Sequence, residues 1–198
     1  MQWDYRALMP KRTGRHAVLS DTATFDAGTG DLRVVIETPK GSRNKYDYDP
    51  ESDCLDLAAV LPQGMIFPFD FGFVPSTLGE DGDPLDVLVL MDSPVIPGCV
   101  LRARLIGAIE ARQKAKHGAW QRNDRLIAVA LHAETHQETR RLSELRPHLL
   151  DEIKEFFVDY NRLRDSRFKP LGDCGPKKAR KLIEAGIKMF QRDKRRAH

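Results

Sequence analysis

The chain has 198 residues and a formal net charge of +3, from 32 Lys and Arg against 29 Asp and Glu. That length fits one domain able to bury a core without disulfide or metal staples, and 41% hydrophobic residues exclude a globally disordered chain. The total charge hides a polar distribution, because residues 21–95 hold 15 acidic and 4 basic residues, whereas residues 177–198 hold 9 basic and 2 acidic ones.

No run reaches the length of a membrane span, and residues 1–31 lack the apolar stretch of a signal peptide. Cys54, Cys99 and Cys174 are odd in number, far apart and without zinc spacing. Reduced thiols and a cytoplasmic protein are expected. No membrane partner is expected.

Residues 1–31 show no sustained periodicity and read as an N-terminal arm. A strand is predicted through Val34, Val35 and Ile36, a β-branched run. A turn-rich segment from Pro39 to Asn44 leads into a short strand over Tyr46–Tyr48, and Asp49 to Ser52 reads as a hairpin turn. Six of the 12 prolines then fall between Pro62 and Pro97, which excludes long helices there. Val87–Met91 is a continuous apolar strand, Val100–Glu110 alternates, and Arg125–Leu131 is apolar again. Helical spacing appears only late. Leu149, Ile153, Phe156, Phe157, Tyr160 and Leu163 form one apolar face, and a last helix starts at Pro176. Strands first and helices last define an α+β chain, a small barrel packed against two C-terminal helices.

The sharpest local feature is Glu80-Asp81-Gly82-Asp83-Pro84-Leu85-Asp86-Val87. Gly82 and Pro84 set the acids on a tight loop, and Asp86 enters an apolar strand, where a charge is costly unless it is paired or bound to metal. Hard divalent cations suit such carboxylates, and Mg2+ is commonly held by one or two of them together with water and phosphate oxygens. Cations held close together can generate a nucleophile from water and clamp a phosphoryl group. A second patch runs from Glu37, at the end of the first strand, through Lys40, Arg43 and Lys45 to Asp47. Taken alone it is equally an ordinary charged loop; beside a metal site it reads as a phosphate clamp. A third candidate, Leu171–Ala179 with the basic tail, has a slight likeness to a helix-hairpin-helix turn. The few aromatics there disfavour nucleic acid as a partner.

The first two patches together resemble soluble family I inorganic pyrophosphatases. The matching strings are Val34-Val35-Ile36-Glu37-Thr38-Pro39 with Lys45-Tyr46-Asp47, then Phe67–Phe73 with Asp81-Gly82-Asp83-Pro84-Leu85-Asp86-Val87, then Leu126–Val129 and Phe156-Phe157 to Tyr160. The resemblance covers about residues 32–190 as one domain, leaving the arm at 1–31 and a basic tail at 191–198. It implies a five-stranded OB-like barrel with long C-terminal helices, a homo-oligomer, and hydrolysis of inorganic diphosphate with Mg2+, or with Mn2+ in its place. It also assigns roles. Asp81, Asp86 and Glu37 match metal ligands. Asp83 matches the catalytic base and a further ligand. Lys45, Asp47, Arg125 and Tyr160 match substrate contacts.

The resemblance also marks departures. Ala59 stands where an arginine is expected, Phe67 and Phe71 replace tyrosines, Gln113 and Asn123 replace two metal-binding aspartates, and Asn161 and Arg125 replace lysines. These losses imply weakened activity. The alternative is a non-catalytic phosphate-binding or scaffold protein on the same fold.

Overall fold

The computed structural model describes residues 19–196. The element order is β1 (Leu32–Thr38), β2 (Asn44–Asp49), β3 (Cys54–Val60), β4 (Asp70–Val74), β5 (Leu85–Leu90), β6 (Val100–Lys114), β7 (Gln121–Arg122), β8 (Arg125–Ala130), α1 (Leu149–Arg162), β9 (Arg167–Cys174) and α2 (Pro176–Arg196).

Five strands close on themselves. β1 pairs with β4, β4 with β5, β5 with β8, β8 with β6, and β6 returns to β1 through Leu32↔Ala103 and Val34↔Leu101. Only β5–β8 is parallel, with Val87 opposite Leu126. These two are the strands with continuous apolar runs, and Val87–Leu90 and every residue of β8 are buried. A strand covered on both faces has no position for a polar residue except at its ends. Asp86 and Arg125 occupy those ends.

The expected small barrel with two late helices is the observed architecture. β2 and β3 form a separate antiparallel hairpin, turned at Asp49–Ser52, while β7 and β9 add to the long β6 outside the ring. The hairpin is tied to β1 by side chains. Thr38 Oγ1 accepts from Tyr46 N at 3.0 Å, and Glu37 Oε1 accepts from Tyr48 N at 2.8 Å.

One element differs from the sequence reading. Residues 167–174, which overlap the start of the 171–179 segment with the helix-hairpin-helix likeness, form strand β9, antiparallel to β6 from Lys114↔Arg167 to Ala108↔Cys174. The strand tolerates Pro170 because it pairs on one side only, where a missing donor can face outward.

α1 buries Leu149, Ile153, Phe157 and Tyr160 along one face, and α2 buries Ala179, Ile183 and Gly186. Gly186 is a poor helix former, by roughly 1 kcal/mol against Ala. Its position explains it. A Cβ there would lie 2.8 Å from Leu85 Cδ1 and 3.3 Å from Thr77 Cβ. The bare backbone lets α2 approach the segment before β5, and Leu78 N donates to Gly186 O at 3.1 Å. Of the arm expected over 1–31, residues 1–18 lie outside the described residues. From residue 19 on it packs on the barrel, with Thr24 Oγ1 donating to Pro75 O at 2.8 Å. α2 continues through residue 190 to Arg196 without a break.

Candidate active site

The acidic loop is built between β4 and β5. Buried Thr77 donates through Oγ1 to Val74 O at 2.6 Å and accepts from Leu85 N at 3.0 Å, which fixes both ends. Inside, Gly79 N donates to Asp83 O at 2.7 Å, and Asp83 N to Asp81 Oδ1 at 3.3 Å. The turn therefore presents Asp81, Asp83 and Asp86 to a single cavity of about 560 Å³.

All eight residues matched to the site by resemblance line this cavity: Glu37, Lys45, Asp47, Asp81, Asp83, Asp86, Arg125 and Tyr160. They come from β1, β2, the acidic loop, β5, β8 and α1. Lys40 and Arg43, the rest of the expected clamp, do not. Arg43 donates through Nε and Nη2 to Leu61 O, at 3.2 and 2.8 Å, so it shapes its own loop.

Arg125 organises one wall. Its side chain is 5% exposed. Nη1 donates to Asp86 Oδ2 and Asn123 Oδ1, and Nη2 to Gln113 Oε1 at 3.0 Å. The guanidinium lies 5.9, 5.1 and 5.3 Å from the ring centroids of Phe71, Phe157 and Phe168. Gln113 and Asn123 also meet one another, Asn123 Nδ2 to Gln113 Oε1 at 3.4 Å. Both also line the acidic cavity. Asp124, the other carboxylate nearby, does not replace them. Its Oδ1 accepts from Ala111 N at 2.9 Å and Arg122 Nε at 2.6 Å.

The floor is aromatic. Phe67, Phe71, Phe156, Phe157 and Tyr160 stack and tilt with centroids 5.2–5.9 Å apart. Such walls disfavour charge on the acids beside them. Burial pushes Glu37 up to about 7, although Lys45 and the Tyr48 amide oppose it. Burial and then the Asp86 charge push Asp81 up to about 6. Asp83 is raised by desolvation and by Asp47, and Asp86 by burial against the pull of Arg125. For Lys45, burial works against the ammonium, but Glu37 and Asp47 outweigh it and hold its pKa above the usual value. Lys45 Nζ is 3.7 Å from Glu37 Oε2, also contacts Asp47 Oδ1, and sits 5.2 Å from the Phe71 ring.

Acids that repel each other's charge gain from a cation placed among them. Among the described residues no three acidic, cysteine or histidine side chains form a ready cage. The donor set suits a hard divalent ion that takes one or two carboxylates and completes its shell with water and phosphate oxygens.

One cavity residue escapes the sequence reading, and another behaves differently from its expected counterpart. Arg164 lines the cavity, with Nη1 donating to the Tyr160 hydroxyl and its guanidinium 5.1 Å from that ring. The signal was its place four residues after Tyr160. Asn161 is 3% exposed and donates through Nδ2 to Phe157 O at 2.9 Å, so its amide is spent on its own helix.

A closed five-stranded ring with an acid-lined cavity defines a class that known proteins share. The family profile described as inorganic pyrophosphatase matches residues 34–191. An inorganic pyrophosphatase from Synechocystis is 36% identical over 162 residues, covering 82% of this chain and 93% of the relative. Soluble inorganic pyrophosphatase 2 of Chlamydomonas reinhardtii is 39% identical over 160 residues, covering 81% of each chain. The crystal structure of the Thermus thermophilus inorganic pyrophosphatase superposes with a TM-score of 0.79 at 32% identity, covering 88% of this chain and 99% of that one. This chain belongs to the inorganic pyrophosphatase family.

Proposed function

We propose that the protein hydrolyses inorganic diphosphate to two phosphates with Mg2+. The observation that carries this is the convergence of Asp81, Asp83, Asp86, Glu37 and Lys45 on one cavity of a chain in this family. Asp81 and Asp86 would hold the cation with Glu37 behind them, and Mn2+ would serve in its place. The bound cation supplies charge neutralisation for the diphosphate and acidifies water. Asp83 accepts the proton of the attacking water, and desolvation by burial makes it a stronger base than an ordinary aspartate. The water oxygen bonds to one phosphorus, the bridging P–O bond breaks, and the second phosphate departs with the bridging oxygen. Lys45 and Tyr160 hold phosphate oxygens, joined by Arg164, with Asp47 orienting Lys45. Arg125, with both terminal nitrogens engaged, acts on the phosphates by charge across the cavity.

The missing contacts at Ala59 and Asn161 support a weaker grip on diphosphate, since each charge-assisted contact is worth roughly 1.5–3 kcal/mol. Exposed Leu57, Val60 and Ile96 support a homo-oligomer, and three free cysteines support a reducing compartment such as the cytoplasm. Phosphate release from diphosphate, compared between the protein and Asp83→Asn with Mg2+ or Mn2+, tests the reading. A fall of about a hundredfold or more is expected. Equal rates, or no release by the unaltered protein with either metal, would overturn it.

A further inference from the structure

A second cavity, of about 590 Å³, adjoins the acidic one, and Lys114, Ala115 and Ser166 line both. Its chemistry is the reverse of its neighbour's. Lys114, Lys116, Arg162 and Arg167 line it with Trp120, and Asp165 is the only acid there. Lys114 and Arg167 are direct register partners across β6 and β9, so their side chains leave the same face. Like charges so placed repel, and among the described residues neither makes a salt bridge. Lys116 and Arg162 pair only with exposed Asp165 and Asp159, contacts that compete weakly with a ligand. Trp120 is 41% exposed on the hairpin, and Lys114 Nζ lies 5.5 Å from its ring centroid.

Repelling cations call for an anion, and an exposed indole calls for a flat ring. We infer that the paired cavities bind a nucleoside diphosphate. Its base would stack on Trp120, and its phosphates would pass Arg167 and cross the shared rim at Lys114 toward Lys45. This rests on the phosphate-binding reading of the acidic cavity and names a larger substrate class for it. In the reaction, water would attack the terminal phosphorus, Asp83 would take the proton, and the bridging oxygen would leave with the nucleoside monophosphate.

The test is calorimetric binding of ADP and of inorganic diphosphate with Mg2+. The proteins are the full chain, Trp120→Ala, Trp120→Phe, and Lys116→Glu with Arg167→Glu. Stacking of one base predicts that Trp120→Ala weakens ADP by about tenfold and leaves diphosphate unchanged. Trp120→Phe should restore most of that loss, and the double charge reversal should weaken ADP by more than tenfold. Equal ADP affinity in the full chain and Trp120→Ala would overturn the inference. So would an oligonucleotide that binds more tightly than ADP, which would mark a nucleic-acid groove. Release of phosphate from diphosphate without ADP binding would defeat this inference alone. ADP binding that depends on Trp120, without turnover of any diphosphate, would keep the binding site and defeat the catalytic reading.

Discussion

Asp86, near the start of β5, is neutralised by Arg125, the first residue of β8, and the two strands run parallel from that point inward. A carboxylate expected to hold a cation already faces a permanent one. The same guanidinium reaches the amides of Gln113 and Asn123. Neutral side chains at those two positions are compatible with a nearby guanidinium that never gives up its proton.

Arg125→Met should therefore destabilise the metal-free protein. It leaves Asp86 half-buried without a counter-charge, at a cost of about 2–4 kcal/mol, discounted because Asp86 keeps some contact with solvent. Urea unfolding with and without Mg2+ checks this. The loss should shrink in Mg2+, because the cation substitutes for the guanidinium.

The metal-free protein should lose stability as pH rises from about 4.5 to about 7. Glu37 has a usual value of 4.5 and is held near 7 in the fold, so over that interval the native state binds the proton more tightly than the unfolded chain. Its contribution is complete below 4.5 and disappears above 7, an amplitude on the order of 3 kcal/mol. Asp81 acts in the same direction between 3.8 and about 6. Midpoints measured in a chelator across this range should fall, and Glu37→Gln should flatten the upper part of the curve.

Gly72→Ala should be among the most damaging small substitutions in the ring. Its Cβ would stand 1.9 Å from Val35 O, where β4 passes β1. Backbone cannot yield as a side-chain tip can, so a loss of about 3 kcal/mol or more is expected. Thermal unfolding against the unaltered chain provides the measure.

Ala59→Arg should strengthen diphosphate binding. Residue 59 pairs with Lys45 across β2 and β3, so an arginine there extends beside a residue that lines the cavity. One recovered charge-assisted contact predicts a KM for diphosphate lower by about tenfold. An unchanged KM would show that a side chain at residue 59 does not reach the phosphates.

Much of the ring was legible because its buried strands write their environment into their composition. Val87–Leu90 and Leu126–Val129 are short apolar runs suited to strands covered on both faces. β9 was not legible. Pro170 and Gly172 disguise it, and its pairing depends on a shifted register opposite Glu110 and Ala111. β4 has five residues between Pro68 and Pro75, too short for a period to show. In the site, the acids could be read because Asp86 intrudes on an apolar run. Arg164 was harder to read, because it stands four residues after Tyr160 but past the end of α1, so its approach depends on how the chain leaves that helix at Leu163. The engagement of Arg125 with three side chains on β5, β6 and the segment before β8 is likewise a property of tertiary closure.

The hydrogen bond from Leu78 to Gly186 joins the approach to the acidic loop to the middle of the final helix. During synthesis the barrel strands through β8 leave the ribosome well before that helix. The acidic loop therefore acquires this brace only after every strand of the ring has been made. A nascent chain stalled before residue 186 would carry every carboxylate of the cavity and still lack the helix that backs their loop.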